Sequence, residues 1–473
     1  MPVTVLGEDV LYLPLTELAS RIRSRRLSPV ALTEAYLARI DELDPTYHAW
    51  VTVMRDSGLT EAKQAEQEIA RGHVRGPLHG IPYGAKDLVA TRGTRTTWGA
   101  KPYENQTFDY DAAVIRKLRN AGAVLLGKLA MIEMAGGLGY DKGTASLTGA
   151  ARNPWDPSRW TCGSSSGSGA AVGTAMLPFA IGSETWGSIV CPSAFCGISG
   201  LRPTFGRVSR QGAMALSWTL DKLGPMGRTA RDCEIVYRAL AGSDPEDPFT
   251  SDEPLGPEST GTGAPRFKVG YLRMDFKKSG NPAVERAFLK ALDDLRASGV
   301  NAEETRLPDL PFEAATSVIL TSEVATAYED LQRGDKARQL ATPSAPLAFV
   351  TAHAVRGSDY VKAERLRTVC SRAMADLFSK YDAILYPTEM HTAFGYDQDF
   401  TDVSWNDPAG GAGNLCGLPA VSVPCGFGED GLPAGLGVLA GAYDEAKAVT
   451  LARHFQSITT WHLRRPAVTT KRT

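Results

Sequence analysis

The chain reads as an α/β protein in which helices cover a buried sheet, and three observations point there. Helical patterns alternate with short apolar runs: after the helical stretch Asp111 to Ala121 and Gly122, the run Ala123-Val124-Leu125-Leu126-Gly127 reads as a buried strand, an alternation that favours a mixed sheet. The composition is that of an ordinary globular protein, with 43% hydrophobic and 22% charged residues among 473. No apolar run approaches the roughly 18 residues that a membrane-spanning helix needs, so the apolar segments belong to a core and no membrane partner is expected.

The elements follow in chain order. Met1 to Leu15 lacks the basic start and apolar centre of a signal peptide. Residues 16–43 carry two helices; Ser28 caps the second, Pro29 sits in its first turn, and Leu32, Tyr36, Ile40 and Leu43 share one face. A third helix follows Thr60 and a fourth spans Asp111 to Ala121. Past the middle of the chain, a helix starts at Thr229 with Asp232 completing its cap. Residues 243–265, rich in Pro, Gly, Ser, Asp and Glu, form a surface loop. A strand near Phe267 to Leu272 and a helix capped by Asn281-Pro282 come next. The seven cysteines, Cys162, Cys191, Cys196, Cys233, Cys370, Cys416 and Cys425, are an odd set without C-x-x-C spacing, which points to reduced thiols in a cytoplasmic protein with no metal site. A net charge of −2 offers no basic patch for nucleic acid.

The stretch that asks for a chemical explanation is Gly163 to Val190. It opens on Gly163-Ser164-Ser165-Ser166-Gly167-Ser168-Gly169 and closes on Gly182-Ser183-Glu184-Thr185-Trp186-Gly187-Ser188-Ile189-Val190. Between them, Ala170 to Leu177 reads as buried helix, which a flexible linker would not contain. Two loops of small hydroxyl residues on one buried helix bring serines together, and buried hydroxyls each need a partner.

These residues resemble the amidase signature hydrolases, whose pattern runs Gly-Gly-Ser-Ser-Gly-Gly-Ser, a helix, Gly-Thr-Asp-x-Gly-Gly-Ser-Ile-Arg, then Pro-x-x-x-Cys-Gly and Gly-Leu-Lys-Pro-Thr-x-Gly-Arg-Val-Ser. The chain matches the tail with Pro192-Ser193-Ala194-Phe195-Cys196-Gly197 and Gly200-Leu201-Arg202-Pro203-Thr204-Phe205-Gly206-Arg207-Val208-Ser209, and 188 − 164 = 24 residues separate the two serines that the family uses. Upstream, Leu78-His79-Gly80-Ile81-Pro82-Tyr83-Gly84-Ala85-Lys86-Asp87 is similar to the family's lysine motif. The resemblance implies a single α/β domain over residues 1–473, with a central mixed, mostly parallel twisted sheet. Within it, 1–72 form an N-terminal helical part, 73–242 the core, 243–265 a surface loop, 266–380 a variable substrate-side region and 381–473 a return to the core.

It also implies a Ser-Ser-Lys mechanism with no cofactor and no metal. Ser188 is expected as nucleophile, Ser164 as a relay hydroxyl on a cis peptide, and Lys86 as a neutral base, since burial can lower a lysine's pKa by several units. The backbone N–H groups of Thr185, Trp186, Gly187 and Ser188 would form the oxyanion hole. Gly127-Lys128-Leu129-Ala130-Met131-Ile132-Glu133-Met134-Ala135 matches another family segment, and the residues at its end, Gly136 and Gly137, are expected to border the substrate together with Trp186. Three positions depart from the pattern: Glu184 for Asp, Trp186 for Gly and Val190 for Arg. The lost arginine argues against the branch that works within the tRNA-dependent amidotransferase.

Two rivals use the same residues. Gly163-Ser164-Ser165-Ser166-Gly167 satisfies G-x-S-x-G, which would make Ser165 an α/β-hydrolase nucleophile, yet no buried strand precedes it. An anion nest would explain the glycines but leave Lys86 idle. The expected activity is therefore hydrolysis of an amide C–N bond through a serine acyl-enzyme, with carbamate or ester hydrolysis on the same triad as the alternative. Trp98, Tyr140, Trp186 and Trp218 near the motifs, and the absence of a basic cluster, favour a neutral apolar or aromatic small-molecule substrate. The expected assembly is a monomer or homodimer, which no residue pattern decides.

Overall fold

A computed structural model describes residues 6–469 apart from 138, 260, 262, 278–279 and 404–406; the ends of the expected domain, 1–5 and 470–473, lie outside the described residues. One sheet of eleven strands runs through the molecule: β1 (Trp50–Val53), β2 (Pro82–Lys86), β3 (Val124–Leu129), β4 (Phe179–Glu184), β5 (Ser199–Arg202), β6 (Lys222–Gly227), β7 (Val269–Leu272), β8 (Ala302–Thr305), β9 (Ala383–Pro387), β10 (Ala420–Phe427) and β11 (Pro433–Ala440). Their spatial order is β1-β3-β2-β4-β6-β5-β10-β11-β9-β7-β8. Helices cover the sheet, as expected. No helix among the described residues is long and apolar enough to cross a membrane.

The sheet is mixed, but not mostly parallel. Among the described residues β2 pairs parallel with β3 and β4, and β7 with β8 and β9. The other six pairings are antiparallel. Connections explain the split: parallel neighbours need a crossover, which the helices Ala113–Asn120 and Ser166–Gly173 supply around β3, whereas the short turn 428–432 lets β10 and β11 pair only as a hairpin.

Local chemistry sets most helix starts. Ser28 accepts a hydrogen bond from the Ala31 N–H at 3.1 Å, with Pro29 as the first residue of the helix Pro29–Tyr47. Thr229 and Asp232 form a reciprocal capping box on Ala230–Leu240, and Asn281 caps Pro282–Ala297. The third helix starts earlier than expected, at Arg55 rather than after Thr60. The helix between the serine loops also shifts: it spans Ser166–Gly173, and Phe179–Glu184 is strand β4. Ala175, at φ 55°, and Pro178 end the helical path, and the apolar run after them suits a buried strand.

The cysteines depart further from expectation. Cys162 and Cys191 form a disulfide with Cα atoms 6.0 Å apart, while Cys196, Cys233, Cys370, Cys416 and Cys425 are free thiols. Twenty-nine residues separate the pair, so no short motif marks it; the fold joins them by placing the loop before Ser166–Gly173 beside the first turn of Val190–Cys196. On chain-entropy grounds that crosslink is worth roughly 3.6 kcal/mol. We expect the Cys162→Ala/Cys191→Ala protein to unfold at lower denaturant by that amount; an unchanged midpoint contradicts it.

Candidate active site

β2, β3 and β4 are buried along their whole length, and the reactive groups gather where β2 and β4 end. Parallel strands offer a crevice beyond their carboxyl ends. Lys86 closes β2, Ser164 lies just before the helix Ser166–Gly173, and Ser188 just before Val190–Cys196. The structure brings the three together: Lys86 Nζ lies 2.7 Å from Ser164 Oγ, which lies 3.1 Å from Ser188 Oγ. The Gly163–Ser164 peptide is cis. Exposure rises along the chain of contacts, from 0% at Lys86 through 2% at Ser164 to 8% at Ser188, so the serine farthest from the lysine is the most exposed of the three.

Burial pushes Lys86 down to about 7, although Asp221 and Glu184 favour its charged form. Its side-chain nitrogen also meets the hydroxyl of Ser183, at 2.9 Å, a neighbour the motif reading did not single out. Ser165 has a different task. Its hydroxyl is fully buried, donates to the Ser183 carbonyl at 3.1 Å and accepts from the Ser183 N–H at 3.2 Å, tying the helix to β4. That geometry leaves Ser165 no access to a substrate.

The loop from Glu184 to Val190 is held by a buried charge network. One Glu184 oxygen accepts from the N–H groups of Ile189 (2.9 Å) and Val190 (3.1 Å), and the other from Arg202 (2.8 Å) and Asn414 (3.2 Å). Burial alone would raise the Glu184 pKa, but the guanidinium of Arg202 and the ammonium of Lys222 hold it at about 2. Lys222 reaches the Asn414 side chain at 2.7 Å, and Thr185 donates to Asp221. Arg202 thus provides the counter-charge that Val190 cannot, and the missing arginine at 190 does not by itself separate this chain from the amidotransferase branch. Among the described residues the N–H groups of Trp186, Gly187 and Ser188 donate to no protein acceptor, which leaves them available to an oxyanion.

A cavity of about 480 Å³ opens between the two serine loops. Gly163 and Cys162 border it on one side and Trp186, Gly187 and Cys191 on the other, with Gly136, Gly137 and Tyr140 along a third wall. Gly136 and Gly137 have no room for a side chain: a Cβ would collide with Tyr140 or Leu216. Two carboxyl residues, buried Glu389 and half-buried Asp407, also line it. Both have raised pKa values, by burial first and then by neighbouring negative charge: Glu389 feels Asp407, and Asp407 feels Glu184. A second cavity of about 270 Å³ meets the other side of the loop at Ser183 and Thr185 and is walled by Leu88, Ala135, Met214 and Trp218. Trp98 joins neither; it packs on Tyr103 and Phe108.

The sequence reading missed Ser183, Arg202, Glu389 and Asp407 as site neighbours. Only Arg202 left a signal, since it stands at the lysine position of the family motif in a chain that lacks the usual arginine.

A family model described as Amidase matches residues 31–449. The chain is similar to the A subunit of glutamyl-tRNA(Gln) amidotransferase from Methylococcus capsulatus, 34% identical over 484 residues with 96% of this chain and 98% of the relative covered. The protein of the same name from Roseiflexus castenholzii is 36% identical over 475 residues, covering 93% and 95%. Among solved structures, the peptide amidase of Stenotrophomonas maltophilia superimposes with a TM-score of 0.85 at 29% identity, covering 99% of this chain and all of that one.

Proposed function

The chain belongs to the amidase family, an enzyme acting on amide C–N bonds, and from that premise we propose that it hydrolyses neutral apolar or aromatic small-molecule amides through an acyl-enzyme on Ser188. One observation carries the reading: the unbroken contact from buried Lys86 through Ser164 to Ser188, whose neighbours Trp186 and Gly187 line the larger of the two cavities. Neutral Lys86 takes the Ser164 proton as Ser164 takes that of Ser188, whose oxygen attacks the substrate carbonyl carbon. The resulting oxyanion is met by backbone N–H groups of residues 185–188. Collapse breaks the C–N bond while the proton returns through Ser164 to the leaving nitrogen. Water then enters by the same base, and the ester bond to Ser188 breaks to release a carboxylate.

A base at the end of this relay must be uncharged. Because burial lowers the Lys86 pKa to about 7, kcat/KM is expected to rise about tenfold per pH unit below that value and to level off above it. A profile flat from pH 5 to 9, for a substrate whose chemistry limits the rate, contradicts a lysine base.

The substrate class is supported by the cavity lining. Aromatic Tyr140 and Trp186 supply apolar walls, and carboxyls whose pKa values are raised carry less negative charge toward a neutral ligand. A second reading, carbamate hydrolysis, fits the two cavities that flank the serine loop as well as amide hydrolysis does, because an anilide and an aryl carbamate alike carry a substituent on each side of the carbonyl. Parallel assays of an anilide and the matching aryl carbamate decide between them. A higher kcat/KM for the anilide is expected, and preference for the carbamate moves the assignment to urethane hydrolysis.

The core 73–242 carries the triad in this proposal, with 266–380 shaping the substrate side. Because the triad and both cavities come from one chain, the purified chain should act alone, as monomer or homodimer. Activity that appears only on adding a second protein would contradict this.

A further inference from the structure

We propose that a cavity on the far side of the two catalytic helices binds a small oxyanion, a carboxylate or a phosphate. The helices Ser166–Gly173 and Val190–Cys196 start beside Ser164 and Ser188, and their other ends, at Gly173 and Gly197, border a separate hollow of about 380 Å³. Arg228, Arg464 and Arg465 line it, together with Tyr12, Trp155 and His462, and among the described residues no carboxylate does.

Arg228 is the group that asks for a ligand. It is 8% exposed and donates from Nη2 to the Leu177 carbonyl at 3.1 Å, yet its Nε and Nη1 have no partner among the described residues. Leaving charged donors buried and unmet is costly, and guanidinium N–H groups form strong charge-assisted hydrogen bonds to the oxygens of a carboxylate or phosphate. Two further features fix the sign of the ligand. The guanidinium carbons of Arg228 and Arg465 lie 4.9 and 4.7 Å from the centroid of the same Tyr12 ring, and Arg464 stacks 4.1 Å over Phe427, so three cations converge on one hollow. The buried carboxylate near Arg228, that of Asp232, is already taken up by the N–H groups of Leu15 at 2.8 Å and Thr229 at 3.0 Å. Three arginines against the one nearby carboxylate of Asp232 leave the hollow net positive, while its concave shape and the chain's net charge of −2 suit a small molecule better than a nucleic acid.

The site lies outside the catalytic machinery, so its test is independent of the proposed activity. Calorimetric titration of the full chain with sodium benzoate and, separately, with inorganic phosphate should show saturable binding of at least one, with benzamide as the uncharged control. Arg465→Gln, an exposed position that leaves the core and basal hydrolysis unchanged, should weaken binding at least about tenfold, and Arg228→Gln should weaken it further. Benzoate alone would define a carboxylate site and phosphate alone a phosphate site. No binding of either anion, or equal affinity in wild type and Arg465→Gln, overturns the proposal, and Arg465→Gln keeps the test decisive if Arg228→Gln does not fold.

Discussion

Replacing Ser188 by alanine is expected to lower kcat/KM by roughly 10⁴-fold or more, with the fold unchanged. The hydroxyl makes its hydrogen bond to Ser164 and carries no other part of the network, so its loss removes the nucleophile and little else. The residual rate would come from the oxyanion donors and the cavity, which remain. Turnover of an anilide by the purified variant, set beside its unfolding midpoint, checks both halves. A variant that keeps more than a tenth of wild-type activity contradicts the assignment.

Lys86→Met is expected to be nearly as damaging, roughly 10³-fold in kcat, since a positioned general base contributes about 10² to 10⁴. Methionine fills most of the lysine's volume, so packing around β2 is retained. Removing a fully buried amine also spares its desolvation, and stability should not fall. The decisive readout is the pH profile: the rise through about 7 that Lys86 gives the wild type should vanish in whatever activity remains. A variant that keeps that rise would place the base elsewhere.

The parts of this site legible from sequence are those fixed by local backbone chemistry. Gly163-Ser164-Ser165 and Gly187-Ser188 could be paired because their spacing matches a known pattern, and Ser28, Thr229 and Asn281 marked helix starts because capping acts over two or three residues. Lys86 was found through its motif and not through its charge, which looks like that of any lysine until burial is known.

What stayed hidden depends on contacts between distant segments. Arg202 approaches Glu184 across 18 residues, and Asn414 does so across 230. Glu389 and Asp407 enter the cavity on segments that share no spacing rule with the serine loops. Cys162 and Cys191 pair only because a loop and the first turn of a distant helix are folded side by side, so counting thiols predicted the wrong state. Helix–strand alternation pointed to a mixed sheet, as found, and the resemblance implied a mostly parallel one; the β10–β11 hairpin and the antiparallel β5 and β6 show that crossover connections hold for only part of the chain.

The central claim, that Ser188 is acylated, can be tested without knowing the substrate. The wild-type chain is treated with a fluorophosphonate that modifies activated serines, digested, and mapped by mass spectrometry. One adduct is expected, on the peptide carrying Ser188, absent from Ser188→Ala and formed more slowly in Lys86→Met. An adduct on Ser164 or Ser165, or labelling of Ser188→Ala at the wild-type rate, would contradict it.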